Sequence, residues 1–172
     1  MMALLLVIGG VLLLFVFMVI ATYNSLVKLR NLVDSAWSGI TIQLKLRADL
    51  IPNLVATVKG YAAHEESVFS EIADARARMA GTTSPKELAN ANEELTGALG
   101  RLFAVAENYP DLKASTNFSD LQTELSDIEN KIQAARRGYN NGVTEYNTKL
   151  QIFPNNIIAS MFNFKEREFF GV

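Results

Sequence analysis

From Ala3 to Ala21 the chain reads ALLLVIGGVLLLFVFMVIA, and no charged residue occurs between Met1 and Val27. At a rise of ~1.5 Å per residue, about 20 such residues cross a hydrocarbon core of ~30 Å, so the pattern predicts a transmembrane helix. The apolar periodicity does not end with the span. Leu26, Leu29, Val33, Ala36, Trp37, Ile40 and Leu44 recur at steps of three and four, which marks one face of a helix. Only the short polar step Thr22 to Ser25 lies between, and no proline precedes Pro52. The first wall of a soluble bundle is therefore expected to be the membrane helix continued as a stalk.

Ile51-Pro52 predicts a kink or turn, because proline lacks a backbone donor and disfavours helix in the residue before it. A second helix is expected next, capped by Asp49, with Ile51, Leu54, Val55, Val58, Tyr61, Ala62, Val68, Ile72, Ala75 and Met79 inward and Gly81 as its stop. Ser84-Pro85-Lys86-Glu87 then reads as a capping box: Ser84 as N-cap, Pro85 as first helical residue, and Glu87 returning to the Ser84 amide. The third helix carries Leu88, Ala91, Leu95, Ala98, Leu99, Leu102, Val105, Ala106 and Tyr109, and Pro110 is expected to end it. Gly97 and Gly100 weaken it intrinsically, so packing must sustain it.

The fourth helix is the longest. Opening at Asn117 as cap, it aligns Phe118, Leu121, Leu125, Ile128, Ile132, Ala135, Tyr139, Val143, Tyr146, Leu150 and Phe153 before Pro154. A period near 3.5 favours knobs-into-holes packing at small crossing angles, and about 36 residues give a length of ~54 Å. The fold expected is all-α: an N-terminal transmembrane helix continuing into an elongated antiparallel four-helix bundle. Residues 1–25 form the span, 26–154 the bundle, and 155–172 an aromatic-rich tail packed on the bundle or at an interface.

The last 20 residues hold five of the ten phenylalanines (Phe153, Phe162, Phe164, Phe169 and Phe170), mixed with Ile157, Ile158 and Met161 and with the charges Lys165, Glu166, Arg167 and Glu168. Such a segment needs a surface to bury against. Folding back on the bundle is favoured, since its Glu residues would be repelled by anionic lipid; contact with headgroups or with a neighbouring protomer is the alternative.

Composition narrows the function. The 172 residues leave about 145 outside the span, enough for one domain with a single core. The formal net charge is −2 with both signs interspersed, so no nucleic acid partner is expected. Cysteine is absent, which excludes disulfides, thiolate metal sites, a cysteine nucleophile and a lipoprotein anchor. Val19 and Ala21 would suit a signal-peptidase site, but no Lys or Arg precedes the run and the run is long, so retention is expected. Lys28 and Arg30 after the span place the bundle in the cytoplasm and the N-terminus outside.

Candidate chemistry is sparse. His64, the one histidine, lies in Ala63-His64-Glu65-Glu66 without a second ligand at zinc-site spacing. Gly9-Gly10 lies inside the span, where small residues permit close helix contact. Asp120, Glu124, Asp127 and Glu129 share the polar flank of one helix, beside Lys131, Arg136 and Arg137, and read as a solvated or salt-bridged face. Asn adjoins Tyr in Tyr23-Asn24, Asn108-Tyr109, Tyr139-Asn140 and Tyr146-Asn147. These pairs read as polar clamps between helices, with the ring inside and the hydroxyl bonded at the rim. Trp37 reads as core or interfacial anchor. No catalytic, cofactor-binding or metal-ligating residue is assigned, and the sequence argues against an enzyme.

Several separated segments carry a family likeness: Tyr23-Asn-Ser-Leu-Val-Lys-Leu-Arg-Asn31, Ala36-Trp37, Gln43-Leu-Lys45, Asp49-Leu-Ile-Pro-Asn-Leu54, Val58-Lys-Gly-Tyr61, Glu107-Asn-Tyr-Pro-Asp-Leu-Lys113, Asn117-Phe118, Leu121-Gln122, Glu129-Asn130, Ala135-Arg136 and Tyr139-Asn140. Together, and in this order, they make the chain resemble the bacterial LemA family. The resemblance implies a single-pass inner-membrane protein with a four-helix soluble bundle and no catalytic residues to carry over. It also implies links to membrane-organelle formation in magnetotactic bacteria and to a membrane-bound stress metalloprotease. The expected function is a non-enzymatic, membrane-anchored scaffold that forms a homo-oligomer and organises or remodels the inner membrane. The alternative is an adaptor for a membrane protease or envelope-stress system.

Overall fold

Helix is the sole regular element among residues 1–171, which the computed structural model describes. In chain order the helices are α1 (Met2–Lys59), α2 (Glu66–Ala80), α3 (Pro85–Ala106), α4 (Pro110–Lys113), α5 (Thr116–Gln151) and α6 (Asn155–Met161). Contacts divide the chain into two units. The first comprises Met1–Trp37 with Asn140–Arg167, and the second comprises Ser38–Tyr139 with the residues from Glu168 onward.

The second unit buries the faces that the periodicity marks. Ile40, Leu44, Ile51, Leu54 and Val58 of α1, Ile72 and Ala75 of α2, Leu95 and Leu102 of α3, and Phe118, Leu125 and Ile132 of α5 are all inside. Each large apolar side chain buried in this way contributes about 1.5–3 kcal/mol, and α2 packs along α3. Leu125→Ala is expected to cost ~2–5 kcal/mol through lost contacts and the cavity left behind. Exposed Lys131→Ala should stay within about 0.5 kcal/mol. Urea titration of the full chain in micelles measures both, and equal losses would mean that α5 presents a different face.

Pro52 does not break the chain. α1 continues through it to Lys59, and the second helix begins only at Glu66. The ring sits on the exposed side, while Ile51, Leu54 and Val58 remain buried on the other. Burial of several such side chains outweighs the ~3 kcal/mol that an interior proline costs. The break falls instead at Gly60-Tyr61-Ala62-Ala63-His64-Glu65, where Ala62 is buried and Tyr61, expected inside, is largely exposed.

Caps also differ from expectation. Ser84 has the extended backbone of an N-cap, yet its hydroxyl donates to Glu168 Oε2 at 3.0 Å instead of capping α3. Glu87 accepts from Thr82 Oγ1 at 2.6 Å, so the capping box is not formed. Pro110 opens the short α4 as its first residue. Ser115, not Asn117, caps α5, its Oγ accepting the Phe118 amide at 3.4 Å. The Asn117 amide donates to Thr57 Oγ1 at 3.0 Å.

In the first unit Leu26 and Val33 of α1 and Val143, Tyr146 and Leu150 of α5 are buried. A methyl group placed on Gly142 would lie 3.6 Å from Val33 Cγ2, so α1 and α5 touch there. Phe153 departs from the pattern. It lies beyond the end of α5 and is 75% exposed, because the helix stops at Gln151 and no longer turns that position inward.

Candidate functional site

The candidate anchor is the first stretch of α1, one helix long and apolar enough to cross a membrane, with none of that stretch buried against protein. Leu4, Leu13, Phe17 and Ile20 present their side chains outward. In water such a surface is unfavourable by the apolar area left exposed; in lipid it is matched.

Within the same unit the tail folds back onto α1 and α5. The Tyr23 ring lies 4.9 Å from Phe162 and 5.7 Å from Phe164, in tilted and edge-on geometry. Arg30 stands 4.9 Å over the Phe164 ring, a cation–π contact. The Asn147 side chain brackets the Arg167 backbone, donating to its carbonyl at 2.9 Å and accepting its amide at 2.8 Å. Arg167 in turn pairs with Asp34, and Gln151 Nε2 donates to Glu166 Oε1 at 2.6 Å. Thus Asn147 acts as a strand edge would, satisfying two backbone groups of an irregular segment with one amide.

Tyr146 lies beneath this clasp, almost wholly buried. Burial holds its hydroxyl above the ordinary value; Arg30 and Arg167 pull it down, and Asp34 pushes it up. The folded chain therefore retains a proton that the unfolded chain releases near pH ~10, so this contribution to stability is complete below about pH 10 and is lost as pH rises further. Helical circular dichroism through that alkaline range should fall less steeply in Tyr146→Phe than in the parent; identical slopes would contradict it.

The second unit contains a buried arginine. Arg47 is 3% exposed and Asn92 likewise. Its Nη1 donates to Asn92 Oδ1 at 2.6 Å and lies 3.1 Å from Glu129 Oε2, and its Nη2 donates to Thr96 Oγ1 at 2.9 Å. Thr96 passes its own hydrogen to the Asn92 carbonyl at 2.9 Å. Gln133 donates to Glu129 Oε1 at 3.0 Å. The group links α1, α3 and α5 in one network. Arg47 Nε and Gln43 Oε1 have no hydrogen-bond partner, and Glu129 Oε2 meets Arg47 as an ion pair without hydrogen-bond alignment. A cavity of about 330 Å³ adjoins, lined by Arg47, Thr96, Leu99, Phe103, Leu125 and Glu129. Burial lowers the guanidinium from its ordinary value and Glu129 raises it. One carboxylate opposes one guanidinium here, which suits a register pin better than a proton-transfer site.

Arg47 and Asn92 are not singled out by the sequence reading, although the period carries a signal for them. Arg47 lies three after Leu44 and four before Ile51, and Asn92 four after Leu88 and three before Leu95, so each interrupts an apolar face. Of the carboxylates singled out on α5, Glu129 joins this network, whereas Asp120, Glu124 and Asp127 are exposed and are not brought together with it. His64 is exposed. Among the described residues no three His, Cys, Asp or Glu side chains converge as metal ligands. Tyr139 donates to the Glu168 carbonyl at 2.7 Å, and Tyr109, just after α3, donates to Glu65 Oε1 at the start of α2 at 3.3 Å.

Comparison with known proteins fits this all-helical chain with one apolar N-terminal stretch. "Magnetosome protein MamQ 2" of Paramagnetospirillum magneticum is 28% identical over 182 residues, covering 91% of this chain and 67% of the relative. "Protein LemA" of Metamycoplasma hominis is 32% identical over 149 residues, covering 84% of this chain and 67% of the relative. The LemA family model matches residues 36–172, from within α1 through the tail. That match covers well over half of the chain, which therefore belongs to the LemA family.

Proposed function

We propose that this protein is a non-enzymatic scaffold, anchored in the bacterial inner membrane by α1, that self-associates and organises or remodels that membrane. One observation carries the reading: α1 is a single helix from Met2 to Lys59, so the candidate span and the first helix of the soluble part are one element. A flexible tether would need a Gly, Pro or Ser linker between them, and none interrupts α1 there. The soluble part is read as an elongated antiparallel four-helix bundle. In its support, Val33 meets Gly142, Arg47 meets Glu129 and Thr57 meets Asn117, the α5 number falling as the α1 number rises. On α2 and α3, Glu71 pairs with Arg101 at 2.5 Å and Arg78 with Glu94 in the same opposed sense.

Lys28 and Arg30 support a cytoplasmic bundle with the N-terminus outside. Relatives named as magnetosome proteins lend weight to a role at a membrane. Crosslinking of the full chain in cells tests the reading. A ladder of self-adducts is expected; a single heterologous adduct without self-adducts would replace the scaffold with an adaptor, as for a membrane protease.

A further inference from the structure

α6 has two faces. Ile158 and Ala159 are buried, whereas Ile157 and Met161, four residues apart and so on one side of the helix, leave half or more of their surface exposed. Ile152 and Phe153, just before α6, do the same, and Phe162, just after it, is nearly half exposed. Five large apolar residues within eleven positions form an exposed patch of the kind that marks an interaction surface.

Its height on α1 indicates what covers it. Tyr23 follows Ala21, the last residue of the apolar run, by two positions, or ~3 Å along a helix. Its ring touches Phe162 at the C-terminal end of α6. The N-terminal end of α6 lies at the same level. From the contact between Val33 and Gly142, Tyr23 is about ten residues back along α1 and Ile152 about ten residues forward from Gly142, each ~15 Å away. Farther along the same two helices Arg47 meets Glu129 and Thr57 meets Asn117, so α5 runs opposite to α1. Both ends of α6 therefore fall where the span leaves the hydrocarbon.

We propose that α6 is a membrane-interface helix, lying along the bilayer surface with Phe153, Ile157, Met161 and Phe162 at the boundary of headgroups and acyl chains. The patch lies at the level where the apolar run of α1 ends, and Tyr23 adds the amphipathic ring favoured at that depth. The segment Asn155–Met161 has no charge, so apolar burial drives its docking. Of the nearby charges, Arg167 pairs with Asp34, and Glu166 accepts a hydrogen bond from Gln151. This rests on reading the N-terminal run as a span and not on self-association.

The chain has no cysteine, which permits single-site labelling. Full-length Leu13→Cys, Thr144→Cys, Ile157→Cys and Met161→Cys, each carrying an environment-sensitive fluorophore, are reconstituted in phosphatidylcholine and phosphatidylglycerol vesicles with or without brominated acyl chains. Helical circular dichroism checks that each is folded. The expected result is blue-shifted emission at positions 157 and 161 that is lost in brominated vesicles, loss also at 13, and unchanged emission at 144. Loss at 13 with water-like emission at 157 and 161, quenched by aqueous iodide as at 144, overturns the interface helix while leaving the anchor. Shielding at 157 and 161 that depends on protein-to-lipid ratio and not on bromine overturns it in favour of a second copy of the chain. No loss at 13 overturns both the anchor and the interface helix.

Discussion

Arg47→Ala is expected to destabilise the full chain by about 3–5 kcal/mol, measured by urea denaturation in micelles, because it strips a buried charge network of its centre. Asn92 Oδ1 and Thr96 Oγ1 lose donors at 2.6 and 2.9 Å, and Glu129 loses the cation 3.1 Å away. The cost lies chiefly in the partners left behind, each desolvated group unmade costing about 1–3 kcal/mol. Replacing the network together, as Arg47→Met with Asn92→Leu and Glu129→Met, should recover most of that loss, since exchange of a buried ion pair for apolar side chains is often neutral. A triple variant as unstable as Arg47→Ala would mean that the arginine stem, not its pairing, holds the site.

Phe170→Ala is expected to cost about 3–5 kcal/mol, the range for a large aromatic truncated in a core. Its neighbour Phe169 supplies the control: Phe170 is 1% exposed and Phe169 39%, so Phe169→Ala should cost far less. The Phe170 variant should also expose the tail to proteolysis, because this deeply buried ring ties the segment into the second unit. Tyr139 donates to the Glu168 carbonyl and Ser84 to the Glu168 carboxylate. Gly171 has a positive φ of 77°, and a Cβ there would come within 2.5 Å of Arg136 Nη2, so the chain passes the guanidinium as closely as glycine alone permits. Equal protease sensitivity of the two variants would contradict this anchoring role.

The contrast between those two phenylalanines shows where sequence periodicity stops being informative. On α3 and α5 the repeat of three and four fixes the buried face from Leu88 to Leu102 and from Phe118 to Leu150, because a regular helix converts spacing into direction. Beyond Gln151 the one regular element among the described residues is the short α6, and no period links Phe162, Phe164 and Phe170 to their surroundings. What orders them is long in range: Asn147 binding Arg167, and Arg167 pairing with Asp34. Pro52 misleads for the opposite reason. Its local penalty is large, but the buried residues on both sides of it set the balance. The Arg47 network is missed in the sequence: its one trace there is two polar interruptions in apolar faces, and its partners meet only where α1, α3 and α5 come together.

The proposed function requires that the anchored chain self-associate and act on the bilayer. Reconstitution of the full-length protein in liposomes, with crosslinking to count copies and cryo-imaging of the same vesicles, tests it most directly. Oligomeric adducts together with altered vesicle shape are expected as protein density rises. Protein that inserts yet stays strictly monomeric, in vesicles indistinguishable from protein-free controls, would contradict it.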